Sequence, residues 1–158
     1  MHEESEVIPT YKTELYKKLR RKLPLDLLGI SEDVQEIAQL IQMAGEISAT
    51  ANEIREATKE DLERTISQEA EKLRLIPTPK GKDRSESMIA SQVQLSDLVA
   101  EKKKDLGEAR LDAALWNTLV DGLRSKSAMI RVTADLLNSG YLTSSSILEK
   151  RRKDIRNA

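Results

Sequence analysis

Apolar residues recur along this chain at helical spacing, and the longest run begins at Met88. Steps of four and three residues in alternation give Met88, Gln92, Leu95, Val99, Lys102, Leu106, Ala109, Ala113, Trp116, Val120, Leu123, Ser127, Ile130, Ala134 and Leu137, of which all but Gln92, Lys102 and Ser127 are apolar. A mean repeat of 3.5 residues keeps such positions on one seam and predicts a left-handed supercoil. At about 1.5 Å per residue, a helix over 88–140 would be roughly 75 Å long. A small monomer does not easily shelter so long a rod, so partner helices are expected. Leu98, Leu115, Leu119, Met129 and Leu136 widen the stripe, which favours more than two helices around the seam. Gly107 and Gly122 mark bends or close helix contacts, and Asn138-Ser139-Gly140 is a C-terminal stop.

Upstream, Tyr11, Leu15, Leu19 and Leu23 repeat at i+4 and predict a helix over 10–23 that Pro24 ends. LDLLGI is a short apolar connector turning at Gly29. Ser31 followed by Glu32 and Asp33 reads as a hydroxyl N-cap with carboxylates in the first turn. From there one helix is expected to about Leu75, its face carrying Ile37, Ile41, Ala44, Ala51 and Ile54, then Leu62, Ile66, Ala70 and Leu73. The stripe thins over 55–61, where a kink or an exposed stretch is plausible. Pro77, Pro79 and Gly81 break the helix. The expected organisation is therefore a basic amphipathic helix and linker (1–30), a long acidic helix (31–76), a basic Pro/Gly loop (77–87), a heptad-patterned core and oligomerisation helix (88–140) and a basic tail (141–158). The fold class is all-α: long amphipathic, coiled-coil-like helices assembling into a helical homo-oligomer.

Composition sharpens this picture. The chain has no Phe, one Trp and three Tyr, so a core of Leu, Ile, Val and Ala meeting along narrow seams fits better than a bulky aromatic one. Charged residues make up 34%, which, with the many Ala, Leu, Glu, Lys and Arg, tilts towards long helices or coiled coils. With no cysteine there is no disulfide, thiolate nucleophile or zinc–sulfur site. No window approaches a membrane span, and the opening MHEESEV does not read as a signal peptide, so a cytoplasmic protein is expected, in the host cell if phage-encoded. The net charge of −1 is unevenly spread. Residues 10–23 hold six basic groups against Glu14, whereas 31–76 hold eleven carboxylates against five basic groups. Arg124, Lys126 and Arg131 have no acidic neighbour between Gly122 and Ala134, and the tail carries Lys150, Arg151, Arg152, Lys153 and Arg156. Basic ends on an acidic middle point to a polyanion partner, or to chains that attract one another.

Catalytic patterns are missing. The one histidine, His2, is terminal, which leaves no His-based general base or metal cluster. The six glycines form no phosphate loop. Carboxylate pairs such as Glu60–Asp61 and Glu69–Glu71 read as solvated helix faces, and no ExxH motif accompanies them. A non-enzymatic protein is expected, with no cofactor, no metal, no small-molecule substrate and no membrane partner.

Binding remains. Sequence-independent capture of nucleic acid uses Lys and Arg against phosphates, and single strands often add aromatic stacking. The candidates are Lys17, Lys18, Arg20, Arg21 and Lys22 with Tyr11 and Tyr16 nearby, then Lys72, Arg74, Lys80, Lys82 and Arg84. A solvated surface is the plain alternative for each. Repetition around an oligomer would multiply weak patches through effective concentration. The core of that oligomer is expected at Leu95, Val99, Leu106, Trp116, Val120, Leu123, Ile130 and Leu137.

The order of elements, with AEKLRL at 70–75 and LDAALWNTLVDGLRSKSAMIR at 111–131, resembles the UvsY-type recombination mediators of T-even-like phages. The resemblance spans about residues 12–137. It implies a ring-like homo-oligomer that binds single-stranded DNA and helps a RecA-type recombinase displace single-strand binding protein. It also implies that Lys72 and Arg74 contact DNA, and that Trp116, Val120 and Leu123 belong to the helical core or subunit seam. A coiled-coil scaffold or assembly chaperone of a phage particle is the competing expectation. Membrane-surface binding by the 10–23 helix fits less well, because its apolar face lacks Trp and Phe.

Overall fold

The computed structural model describes residues 10, 13–25, 30–76 and 84–140. Among them the chain is all-helical, with α1 (Glu14–Arg21), α2 (Ile30–Leu75), α3 (Glu86–Gln94) and α4 (Asp97–Asn138), and no strand. Among the described residues, the two long helices each contribute to two compact units, one taking Thr10, 48–76 and 84–115, the other 13–25, 30–47 and 116–140. The expectations placed on 1–9, on most of the 77–87 loop with Lys80 and Lys82, on Tyr11, on Gly29 and on the 141–158 tail lie outside the described residues.

In the first unit, the C-terminal part of α2 runs antiparallel to the N-terminal part of α4, with α3 packed on both. Ile89 and Val93 of α3 and Val99 of α4 are buried, and Leu62, Ile66, Ala70 and Leu73 of α2 close over them. Lys102, a polar break in the heptad run, meets Asp61 of α2 at 2.9 Å. Thr10, expected to start the first helix, instead lies beside α4. Its amide and hydroxyl donate to the buried Asp112 carboxylate at 3.1 and 2.8 Å.

The single helix expected from Met88 is two. Leu95 closes α3 with its amide donating to the Gln92 carbonyl, and Asp97 opens α4. Ser96-Asp97 is a local helix-start pair that the heptad steps pass over. Ser31, expected to be the N-cap of α2, instead lies inside that helix, which begins at Ile30. The break changes which residues face inward. Ile89 and Val93 are buried in place of Met88 and Gln92, and Leu95 is 82% exposed, so it is no core residue. From Val99 the heptad register holds: Val99, Leu106, Ala113, Trp116, Val120, Leu123 and Ile130 are buried, while Leu137 is only half-buried. Copies of the chain are not needed to cover those positions, because within each unit its own helices do so.

In the second unit, α1 and the first turns of α2 pack on the C-terminal half of α4. The core is Tyr16, Leu19, Ile37, Ala44, Trp116, Leu119, Val120, Leu123 and Ile130. α1 begins at Glu14 rather than Thr10, because Thr13 supplies the N-cap, its hydroxyl accepting from the Tyr16 amide. The face it buries also differs from the expected stripe: Tyr16 and Leu19 turn inward, whereas Leu15 is exposed.

Candidate nucleic-acid interface

The basic helix α1 is held in the second unit by three contacts of different kinds. The Tyr16 ring meets Trp116 edge-on, with centroids 5.2 Å apart and planes at 76°. Leu23, just past the helix, lies so close to α4 that a Cβ on Gly122 would come within 2.8 Å of its methyl carbon. Third, the Lys126 ammonium donates to the Lys22 carbonyl at 2.8 Å and to Asp33 Oδ1 at 2.7 Å. Lys126 is 4% exposed, so this ion pair is buried. Gly122 thus marks a close contact, as its place in the heptad run suggested, whereas Gly107 has open space where a Cβ would stand.

With Tyr16 and Leu19 pinned inward, the cations of α1 have nowhere to point but out. At about 100° per residue, Lys17, Lys18, Arg20 and Arg21 fall within an arc of roughly 160° opposite the buried pair. All four are exposed. Lys17 is bridged to Glu14 at 2.7 Å and Lys22 to Glu36 at 2.8 Å. The Glu14 carboxyl is held below the usual carboxylate value by the Lys17 hydrogen bond and charge. Lys18, Arg20 and Arg21 enter no ion pair among the described residues. They sit in the last turn of α1, where positive charge also suits the helix dipole. The result is a compact, outward cationic array on a fixed platform.

The second basic patch differs. In the first unit, Lys72 is bridged to Glu69 at 2.6 Å, and Arg74 grips Glu86 in a fork, Nε to Oε1 at 3.1 Å and Nη2 to Oε2 at 2.9 Å. The fork raises the Arg74 pKa and lowers that of Glu86, the hydrogen bond being the larger cause and the opposite charge the next. Arg84 Nη1 donates to Gln92 Oε1 at 2.5 Å. These side chains are on the surface, but each already has a partner that a phosphate must displace.

Three expectations change at the residue level. Tyr16, grouped with the cations as a stacking candidate, is a core residue against Trp116 and has no free face for a base. Lys126, counted among cations without a carboxylate, is paired with Asp33, 93 positions away. Asp33, read as a helix-dipole carboxylate, is the other half of that pair. Arg124 is beside Asp121 at 3.6 Å. Nothing in the local pattern around Lys126 or Asp33 announces the pair, because each is a single charge on a helix full of charges.

An open groove of about 600 Å³ also lies in the second unit, lined by Val34, Ile37, Ile41, Ile130 and Ala134 with Arg131 and Ser127 as its polar side chains. Among the described residues, no three His, Asp or Glu side chains are arranged to hold a metal ion, and no helix is long and apolar enough to cross a membrane. Comparison with known proteins gave no match to a family model, a curated protein or a solved structure.

Proposed function

We propose that this chain is a non-enzymatic, single-stranded-DNA-binding recombination mediator, which helps a RecA-type recombinase load onto DNA coated by single-strand binding protein. The observation that carries the reading is α1: Lys18, Arg20 and Arg21 stand outward and enter no ion pair among the described residues, on a helix whose opposite face is locked into the core. Such an array neutralises successive phosphates without reading base edges. It makes α1, rather than Lys72 and Arg74, the first contact, with the second patch joining once phosphate displaces Glu69 and Glu86. Three cations bind weakly alone, so the reading includes a homo-oligomer that repeats the array. Because the seam from Val99 to Ile130 is filled by the chain itself, copies would meet through other apolar residues. Met129, Val132 and Leu136 of α4 are exposed at helical spacing and supply such a surface.

The test is binding of a fluorescent oligothymidylate across a salt series. Log affinity should fall with log salt at roughly −0.7 per phosphate neutralised. Reversing Lys18, Arg20 and Arg21 to Glu should abolish binding while leaving helicity and mass unchanged. Absence of binding at low salt sinks the reading. The exposed apolar stripe on α4 also suits a structural scaffold whose basic arm grips an acidic protein surface, and the two are separable: a scaffold keeps its assembly and binds no oligothymidylate at low salt.

A further inference from the structure

We propose that Lys126 and Asp33 act as the positioning pair of the α1 array, fixing the basic helix on the core so that its cations are presented to phosphate already ordered. The inference rests on the DNA-binding reading above. The Lys126 ammonium reaches two elements at once, the carbonyl of Lys22, the C-cap residue of α1, and the Asp33 carboxylate in the first turns of α2. It therefore ties α1, α2 and α4 together at one point inside the second unit.

Three features argue that the pair is there for orientation rather than for stability. It is buried, with Lys126 and Asp33 at 4% and 14% exposure, and burying charge carries a desolvation penalty that an apolar pair of the same size avoids. Its hydrogen bonding is incomplete, since Asp33 Oδ2 is buried with no hydrogen-bond partner among the described residues. And it delivers a sixth ammonium or guanidinium to a segment where Lys17, Lys18, Arg20, Arg21 and Lys22 already crowd, with Asp33 as its own carboxylate while Glu14 and Glu36 are on Lys17 and Lys22. What an apolar pair could not do is hold the Lys22 carbonyl. An eight-residue helix does not persist undocked, so without that hold the array would have to be ordered again at each binding event.

The discriminating variant is the double replacement Asp33→Leu with Lys126→Met, which keeps the volume filled and removes the polar hold. Two readouts are taken on the full chain. Trp116, wholly buried with Tyr16 of α1 against its ring, reports docking through its emission. Oligothymidylate affinity over a salt series reports presentation. We expect a folded protein with red-shifted Trp116 emission and an affinity lowered about tenfold or more at fixed salt, the salt slope being unchanged because the same cations are present. Wild-type emission overturns the proposal, and so does red-shifted emission with wild-type affinity. If the double variant does not fold, the near-isosteric Asp33→Asn decides on the same readouts. Should the unsubstituted chain fail to bind DNA, the functional reading falls, and the emission alone still judges whether the pair holds α1.

Discussion

Gly107 and Gly122 show how much context one residue type can hide. Both interrupt α4, and in sequence both read as a penalty of about 1 kcal/mol relative to Ala. In the structure a Cβ at Gly107 meets nothing, whereas one at Gly122 meets Leu23 at 2.8 Å. Gly107→Ala should therefore stabilise the protein by roughly 0.5–1 kcal/mol. Gly122→Ala sets the same gain against displacing the half-buried Leu23 side chain and should stabilise the protein less than Gly107→Ala does. Urea titration of the two variants followed by circular dichroism checks the difference. Lys126 and Asp33 teach the same lesson for charge: as single letters they are ordinary helix-surface residues, and only a contact across 93 positions makes them a buried pair.

At the scale of elements, the extent of α2 was legible because periodicity and the Pro77–Pro79 break agree, although the helix begins at Ile30 rather than after a Ser31 cap. The α3–α4 boundary was not, because heptad steps and a local Ser-Asp start disagree there and the helix start wins. Leu95 measures the difference. Leu95→Glu on its exposed site should shift stability by no more than about 0.5 kcal/mol. Val99→Glu, which buries a carboxylate in the core of the first unit, should prevent cooperative unfolding at neutral pH. Equal damage from the two would show a continuous seam instead. α3 is also tied to α2 by the Arg74–Glu86 fork. Because folding lowers the Glu86 pKa, the fork's contribution is present above the ordinary glutamate value and lost as pH falls through the lowered one. Both side chains are exposed, so the effect is small and local. Protection factors of the α3 amides, taken relative to the intrinsic exchange rate at each pH, should fall on acidification in the native chain, and far less in Glu86→Gln.

For the molecule as a whole, the question is what the heptad pattern is for. Seven heptads of apolar positions suggested a seam between copies, yet Trp116 and its neighbours are sealed by helices of the same chain. Substitutions at the seam should therefore unfold the protein rather than dissociate it. Dissociation should come instead from Met129→Glu combined with Val132→Glu on the exposed stripe. Light scattering should show a lower mass for that variant with helicity retained, and a monomeric native chain would remove the oligomer from the functional reading.

The amino-acid sequence by itself determined the helical class, the two long helices and the register of α4 from Val99 onward, since periodicity and capping act over a few residues. It also placed the cationic cluster of 17–21 on one short helix. Tertiary structure decided which charges are free. Arg74 is forked onto Glu86 of α3 and Lys126 is buried on Asp33 of α2, while Lys18, Arg20 and Arg21 remain outward. The physical reason is range. A helical stripe is written in neighbours three and four residues apart, but the partner of a charge is set by which helices pack together, and that information is spread over the whole chain.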